Sequence, residues 1–182
     1  MSSHRERTDA LLIDALSLNA SHLLRYLERR VGADDAPDAL GEVMVAAWRR
    51  CDDLPADGQG ARMWLFGIAR NVVLNVQRGK RRRLGLADRL RQQRPADPVH
   101  HGGADEGLEV RDAIARLDPD LAELVRTVHW DGFTLAEAAQ ILGIPASTAR
   151  SRYGRARTEL RAVLLPAAPP TDRSGVGAAT RR

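Results

Sequence analysis

The chain has 182 residues, a formal net charge of +4 and only 4% aromatic residues. This length accommodates one ordinary domain or two small ones, and the scarcity of aromatic and β-branched residues favours helices over sheets. The single cysteine, Cys51, excludes an intramolecular disulfide and a cysteine-based zinc site. No apolar run approaches the roughly 18 residues of a membrane span, and the N-terminus lacks the apolar core of a signal peptide. We therefore expect a cytoplasmic protein.

Three amphipathic helices are predicted in the first part of the chain. The first ends near Gly32, and its apolar face is formed by Leu12, Leu16, Leu23, Leu24, Leu27 and Val31. Asp34 or Asp35 is expected to cap the second helix. Its apolar stripe, at the spacing i, i+3, i+4, i+7, i+8, consists of Leu40, Val43, Met44, Ala47 and Trp48. Residues 51–60 form a loop, and a third helix is predicted from about Ala61 to Arg82.

The third predicted helix has two distinct stripes. The stripe expected to face the core is formed by Leu65, Ile68, Val72 and Val76. A neighbouring stripe is formed by Trp64, Asn71, Asn75, Arg78 and Arg82. An aromatic ring, two carboxamides and arginines along one edge can stack on bases, bond their edges and neutralise the phosphates of a single strand. Alternatively, Trp64 belongs to the core and the asparagines only face water, and the spacing does not decide between these interpretations.

A flexible linker is predicted at 84–107, because helical periodicity weakens there and its second half is rich in proline and glycine. The linker separates a first module, 1–83, from a second, 108–165. In the second module Asp118 is expected to cap one helix, and Thr134 with Glu137 forms a capping box on the next, which Gly143 ends. The tail, 166–182, is expected to be disordered.

The last predicted helix begins near Ala146 and has the features of a DNA-reading helix. Its inward residues are Ala149, Tyr153, Ala156 and Leu160. The candidate DNA contacts are the polar residues Ser147, Thr148, Arg150, Ser151, Arg152 and Arg155. Arginine can bond guanine in the major groove, and the preceding capped helix and glycine turn stand at helix-turn-helix spacing. The alternative is a solvated charged face on a bundle helix.

The sequence shows no catalytic signature. It has no phosphate-cradling glycine loop, no metal-ligand spacing and no nucleophile with an adjacent base. We therefore expect no enzymatic activity, no cofactor and no metal.

Three segments, in this order, resemble the extracytoplasmic-function (ECF) sigma factors of bacterial RNA polymerase. DALGEVMVAAWRR, Asp38 to Arg50, is similar to the helix of that family that docks on the polymerase β′ clamp. WLFGIARNVVLN resembles the promoter-melting helix, and LGIPASTARSRYGRAR resembles the minus-thirty-five recognition helix. The resemblance covers most of the predicted helical segments and implies an all-α protein of two small helical bundles joined by a flexible linker.

The resemblance also implies partners and roles for individual residues. Asp38, Glu42 and Trp48 would contact the β′ clamp, and the loop 52–60 with Asn71 would receive a base of the minus-ten element. The second bundle would bind the β flap and read the minus-thirty-five duplex. The implied partners are core RNA polymerase, promoter DNA and an anti-sigma factor.

Two other functions are compatible with parts of the sequence. A dimeric helix-turn-helix regulator could bind operators by itself, but it would not need the stripe that begins at Trp64. A protein-interaction adaptor would leave all these arginines solvated.

Overall fold

The computed structural model describes residues 2–90 and 105–165, and side chains within 5–83 and 108–165. In chain order the helices are α1 (Ser2–Val31), α2 (Ala36–Arg49), α3 (Gly58–Leu90), α4 (Asp105–Arg116), α5 (Pro119–His129), α6 (Leu135–Leu142) and α7 (Ala146–Leu164), with a short 3-10 turn at Cys51–Asp53. All regular structure in these ranges is helical, which confirms the predicted class. Most of the predicted linker and the whole predicted tail lie outside the described residues.

Helices α1, α2 and α3 pack on one another as the first bundle. Their apolar residues form one continuous buried cluster, since the expected inward faces of α1 and α3 do point into it. Tyr26 and Phe66 meet edge to face at its centre, with ring centroids 5.2 Å apart. The Tyr26 hydroxyl is buried without a hydrogen-bond partner, and burial raises its pKa far above the ordinary value.

Two local predictions about the first bundle were wrong. Helix α3 continues to Leu90 instead of ending at Arg82, because the arginines, leucines and alanine beyond Arg82 are good helix formers. Asp35 occupies the N-cap position of α2 but makes no capping bond, since its carboxylate lies 2.6 Å from the Lys80 ammonium. That ion pair lowers the pKa of Asp35.

The apolar stripe predicted for α2 is only partly buried. Val43 and Ala47 are fully buried, whereas Met44 is 37% and Trp48 46% exposed. The stripe is wider than the surface that α1 and α3 cover, so its outer edge stays in solvent.

Helices α4 to α7 form the second bundle. Its core consists of two small buried clusters, and α5 and α7 contribute residues to both. Its predicted helix ends are confirmed. The Asp118 side chain accepts a hydrogen bond from the Asp120 amide, and Thr134 and Glu137 make a complete capping box. Gly143 ends α6 in the left-handed conformation, with φ of 64°, which a glycine adopts without strain.

The two bundles are in direct contact, which the sequence did not predict. Helix α6 packs against α3. Phe133 and Ile141 of the second bundle are buried in the core cluster of the first. The contact places the helix-turn-helix beside the polar stripe of α3.

Candidate nucleic-acid interfaces

Helix α7 is anchored by small residues and leaves its polar face free. Ala149 and Ala156 are completely buried, and Tyr153 and Leu160 pack at the edges of the two clusters. Alanine lets the helix lie close to α5 and α6, as a reading helix in a helix-turn-helix must. The exposed residues on the other side include Ser147, Arg150, Ser151 and Arg155, while Thr148 and Arg152 are half-buried.

The three candidate arginines of α7 differ in their partners. Arg152 pairs with Asp120 of α5 at 2.9 Å, and Arg155 pairs with Glu159 one turn along at 2.8 Å. The Glu159 carboxylate raises the pKa of Arg155. Arg150 has no ion pair or hydrogen bond with any described side chain. Within the described residues, Arg150 therefore has no partner that it would need to release in order to contact a base.

A capping box fixes the start of α6, the first helix of the helix-turn-helix. The Thr134 amide and hydroxyl both donate to the Glu137 carboxylate, at 2.7 and 2.9 Å. The bond from the Thr134 backbone is the main reason that the pKa of Glu137 is lowered. The start of α6 is therefore fixed by charge-assisted hydrogen bonds, and the following turn fixes the direction of α7.

The polar stripe of α3 is exposed at one end and anchored at the other. The exposed residues are Asn71, Asn75, Arg78 and Arg82. Arg78 donates to the side-chain oxygen Oδ1 of Asn75 at 2.8 Å. Trp64 is half-buried against the core, and its indole N–H is buried without a hydrogen-bond partner. This arrangement fits the second interpretation, since Trp64 packs on the core and the asparagines face outward, and contact with a DNA strand stays a prediction.

A groove of about 520 Å³ lies between the anchored end of this stripe and the second bundle. Trp64, Ile68 and Asn71 line one wall, and Gln140, Ile141 and Gly143 of α6 line the other. At its end near 55–60, a Cβ on Gly60 would lie 2.6 Å from the Asp57 carboxylate and 2.9 Å from Pro55, so this loop needs glycine there. Pro55 and Gly60 of the loop line this groove together with Trp64 and Asn71.

An exposed surface on α2 combines acidic and apolar side chains. Asp38 and Glu42 are exposed, and Trp48 lies on the same helix, 46% exposed. Met44 of the predicted stripe and Val45, which the sequence analysis did not name, are also exposed. Val45 could have been noticed, because it is an apolar residue off the helix's main stripe. An apolar patch rimmed by acids is typical of a protein-binding surface.

The described residues contain neither a candidate metal site nor a candidate membrane span. In the ranges 2–90 and 105–165 no cluster of histidine, cysteine and acidic side chains could hold a metal ion. Within the same ranges, no helix is sufficiently long and apolar to cross a membrane.

Comparison with protein families and known proteins identifies both bundles. Residues 16–83 match the model of sigma-70 region 2, and residues 107–160 match that of sigma-70 region 4. The chain is 31% identical to the ECF RNA polymerase sigma factor SigL of Mycobacterium tuberculosis over 86% of this chain and 90% of that protein. It is also 31% identical to the ECF RNA polymerase sigma factor EcfG of Rhodopseudomonas palustris, over 86% of each chain.

Solved structures show the same two-bundle architecture. The sigma factor RpoE of Bartonella quintana, solved with the anti-sigma factor NepR, superimposes with a TM-score of 0.64 at 26% identity, covering 82% of this chain and 93% of RpoE. CnrH, solved with the cytosolic domain of CnrY, gives a TM-score of 0.59 over 86% of this chain and 88% of CnrH, and shows the shared fold. With both regions matched in order along a two-bundle helical chain, the protein belongs to the ECF RNA polymerase sigma factors of the sigma-70 family.

Proposed function

We propose that this sigma factor directs core RNA polymerase to promoters by reading two DNA elements with two different surfaces. The exposed face of α7 supports duplex reading at the minus-thirty-five element, with Arg150 as the leading base contact. The stripe of α3, from Trp64 to Arg82, supports contact with an unpaired strand of the minus-ten element. Strand opening then needs no catalysis by this chain, because contacts to the extruded base offset an unstacking cost of a few kcal/mol.

The remaining surfaces fit the partners of such a factor. The α2 patch, with Asp38, Glu42 and Trp48, is proposed to dock on the β′ clamp, and the second bundle on the β flap. The RpoE relative was solved with an anti-sigma factor, and we propose a regulator of that kind for this chain. The work would take place in the cytoplasm, with polymerase. The observation that carries the proposal is the outward polar face of α7, where Arg150 has no ion-pair partner among the side chains that the structure describes.

Run-off transcription tests the proposal. Promoter sequences are first selected with the chain and core polymerase together, and transcription is then measured with core alone, with the chain alone and with both. We expect specific transcripts only with both. Specific binding to a palindromic operator by the isolated chain, with no transcript, would instead support the dimeric regulator.

A matched pair of variants tests the α2 patch. Trp48→Ala should weaken core polymerase binding by about 1–3 kcal/mol, because exposed aromatic residues are frequent hot spots in interfaces. Leu18→Ala is the control, since Leu18 is 78% exposed on α1, away from the patch. Equal affinities of the two variants for core polymerase would show that α2 is not the docking helix.

A further inference from the structure

A partly open cleft of about 290 Å³ lies between the two bundles. This interbundle cleft shares no lining residue with the groove at Trp64, so the two are separate cavities. The polar side chains that line it belong to His22, Arg25, Arg29, Arg62, His129 and Asp131. Among the described residues that line the cleft, three are therefore arginines and only one is an acid.

The acid of the interbundle cleft is already paired. The side chain of Asp131 is completely buried, and one of its carboxylate oxygens accepts from Arg29. The other carboxylate oxygen accepts from Arg30 at 2.8 Å. Arg30 also donates to the Glu123 carboxylate at 2.8 Å. The two acids and these two arginines therefore balance one another, which a buried carboxylate requires.

Arg25 and Arg62, in contrast, lack an acidic partner. Arg25 is exposed, and its Nη2 lies 3.2 Å from Nδ1 of His22. Arg62 donates from Nη2 to the backbone oxygen of Asp131 at 2.5 Å, and its guanidinium lies 4.1 Å from the centre of the Phe133 ring. In the part of the chain that the structure describes, neither guanidinium forms an ion pair with a carboxylate. Both positive charges are therefore uncompensated.

The second bundle adds a hydrogen-bonding group to the cleft. His129 is the last residue of α5, and its Nε2 lies 2.8 Å from the Tyr153 hydroxyl. The two rings are stacked, with centroids 5.9 Å apart. These contacts hold the imidazole in place, and its Nδ1, which has no partner among the described residues, can donate when it carries a proton. Nitrogen groups of both bundles thus line the cleft.

The charge and the size of the cleft together indicate the kind of ligand. Three arginines and one aspartate give its lining a net charge of +2. Charges of one sign in a cleft concentrate counter-ions there, and the planar guanidinium forms charge-assisted hydrogen bonds that match the geometry of phosphate. A volume of about 290 Å³ lies at the lower end of the range for ligand sites, which is roughly 300–1,000 Å³. A small anion is therefore indicated.

We propose that the interbundle cleft binds a small anion of the diphosphate class, with Arg25 and Arg62 as its ion-pair partners and His129 as a donor from the second bundle. Two linked phosphoryl groups supply one negative centre for each uncompensated guanidinium. The inference goes beyond the proposed function, because such binding needs neither promoter DNA nor polymerase. A ligand that binds only the folded chain also stabilises it by mass action.

Calorimetric titration of the full chain with sodium diphosphate tests the site, in metal-free buffer at constant ionic strength. We expect saturable binding of one diphosphate per chain, with a Kd below about 1 mM. Arg25→Ala should weaken this affinity about tenfold, because it removes a hydrogen bond between charged groups. Arg25 is exposed, so the variant should keep the fold, which circular dichroism checks. A parent chain without saturable binding would overturn the site.

The matched control is Arg111→Ala, which removes the same charge from an exposed position of α4 outside the cleft. Its affinity for diphosphate should stay within about twofold of the parent value, because salt screens distant surface charges. If Arg111→Ala and Arg25→Ala lose the same affinity, only the overall charge of the chain attracts the anion, and the site is overturned.

Promoter binding separates a free anion from DNA as the source of the phosphate. Holoenzymes made with the parent, Arg25→Ala and Arg111→Ala chains are titrated with the selected promoter duplex. We expect similar affinities for all three, because Arg25 is assigned to a small anion. A loss of duplex affinity in Arg25→Ala that matches its loss of diphosphate affinity would assign this arginine to the DNA backbone and overturn the small-anion site.

Discussion

Helices α3 and α7 each carry an apolar face and a polar face proposed to contact DNA, yet their surroundings differ. Helix α7 rests on two buried alanines, and nothing in the described part of the chain packs over its outer face. Helix α3 is anchored by large apolar residues, and α6 lies beside one end of its polar stripe. The comparison shows that the accessibility of a polar stripe depends on neighbouring helices as well as on its own periodicity.

The largest expected effect comes from the core beneath α3. Phe66→Ala should lower the free energy of unfolding by about 3–5 kcal/mol, because Phe66 is 1% exposed and packs on both Tyr26 and Phe133. Urea unfolding followed by circular dichroism measures it. Gly154→Ala is the control on α7, where an added methyl group meets open space. A loss below 1 kcal/mol for Phe66→Ala would mean that α3 is not anchored as described.

The next effect tests whether α7 reads bases. Arg150→Ala should cost about 1–3 kcal/mol and relax specificity at one base pair if the guanidinium bonds a guanine. Transcription from a set of single-base promoter variants with the holoenzyme measures it. Arg157→Ala, also on an exposed position of α7, is the comparison. Uniform weakening on every promoter would make Arg150 a phosphate contact.

A smaller effect is expected at the α3 stripe. Asn71→Ala should weaken strand binding by about 1 kcal/mol, the size of one hydrogen bond. It should leave the unfolding free energy within about 0.5 kcal/mol, since Asn71 is exposed. Binding of a single-stranded minus-ten oligonucleotide is measured with the holoenzyme, with Gln77→Ala as a control from the same helix. Unchanged strand affinity would place the contact elsewhere on α3.

The smallest effect concerns the capping box at the start of α6. The pKa of Glu137 is lowered in the folded state, so its carboxylate adds stability above the unfolded pKa, and this is lost as pH falls through the folded pKa. Glu137→Gln should therefore cost about 0.5–1 kcal/mol at pH 7. The difference should shrink once the pH falls below the unfolded value of about 4.3, and it should vanish below the lower pKa of the folded state. Thermal unfolding across this pH range measures it. A constant difference would exclude the carboxylate as its source.

The sequence was informative where structure is local. The capping residues Asp118 and Thr134, the turn at Gly143 and the inward faces of α1, α3 and α7 follow from bonds or spacings within a few residues. Predictions failed where a neighbour intervenes. Asp35 pairs with Lys80, 45 positions later, instead of capping α2, and Trp48 is exposed because no helix covers it. The assigned roles of the DNA-facing residues remain predictions.

The sequence by itself determined the amphipathic pattern of six of the described helices, the helix-turn-helix and the family, because periodicity, caps and motifs depend on short stretches of chain. Only the tertiary structure decided that the two bundles meet. In the sequence, Asp131 resembles an ordinary acidic loop residue before α6. Its burial between Arg29 and Arg30, about a hundred positions away, depends on long-range packing that no local pattern predicts. Burial of Phe133 and Ile141 stabilises that contact, while the buried ion pairs roughly offset their own desolvation.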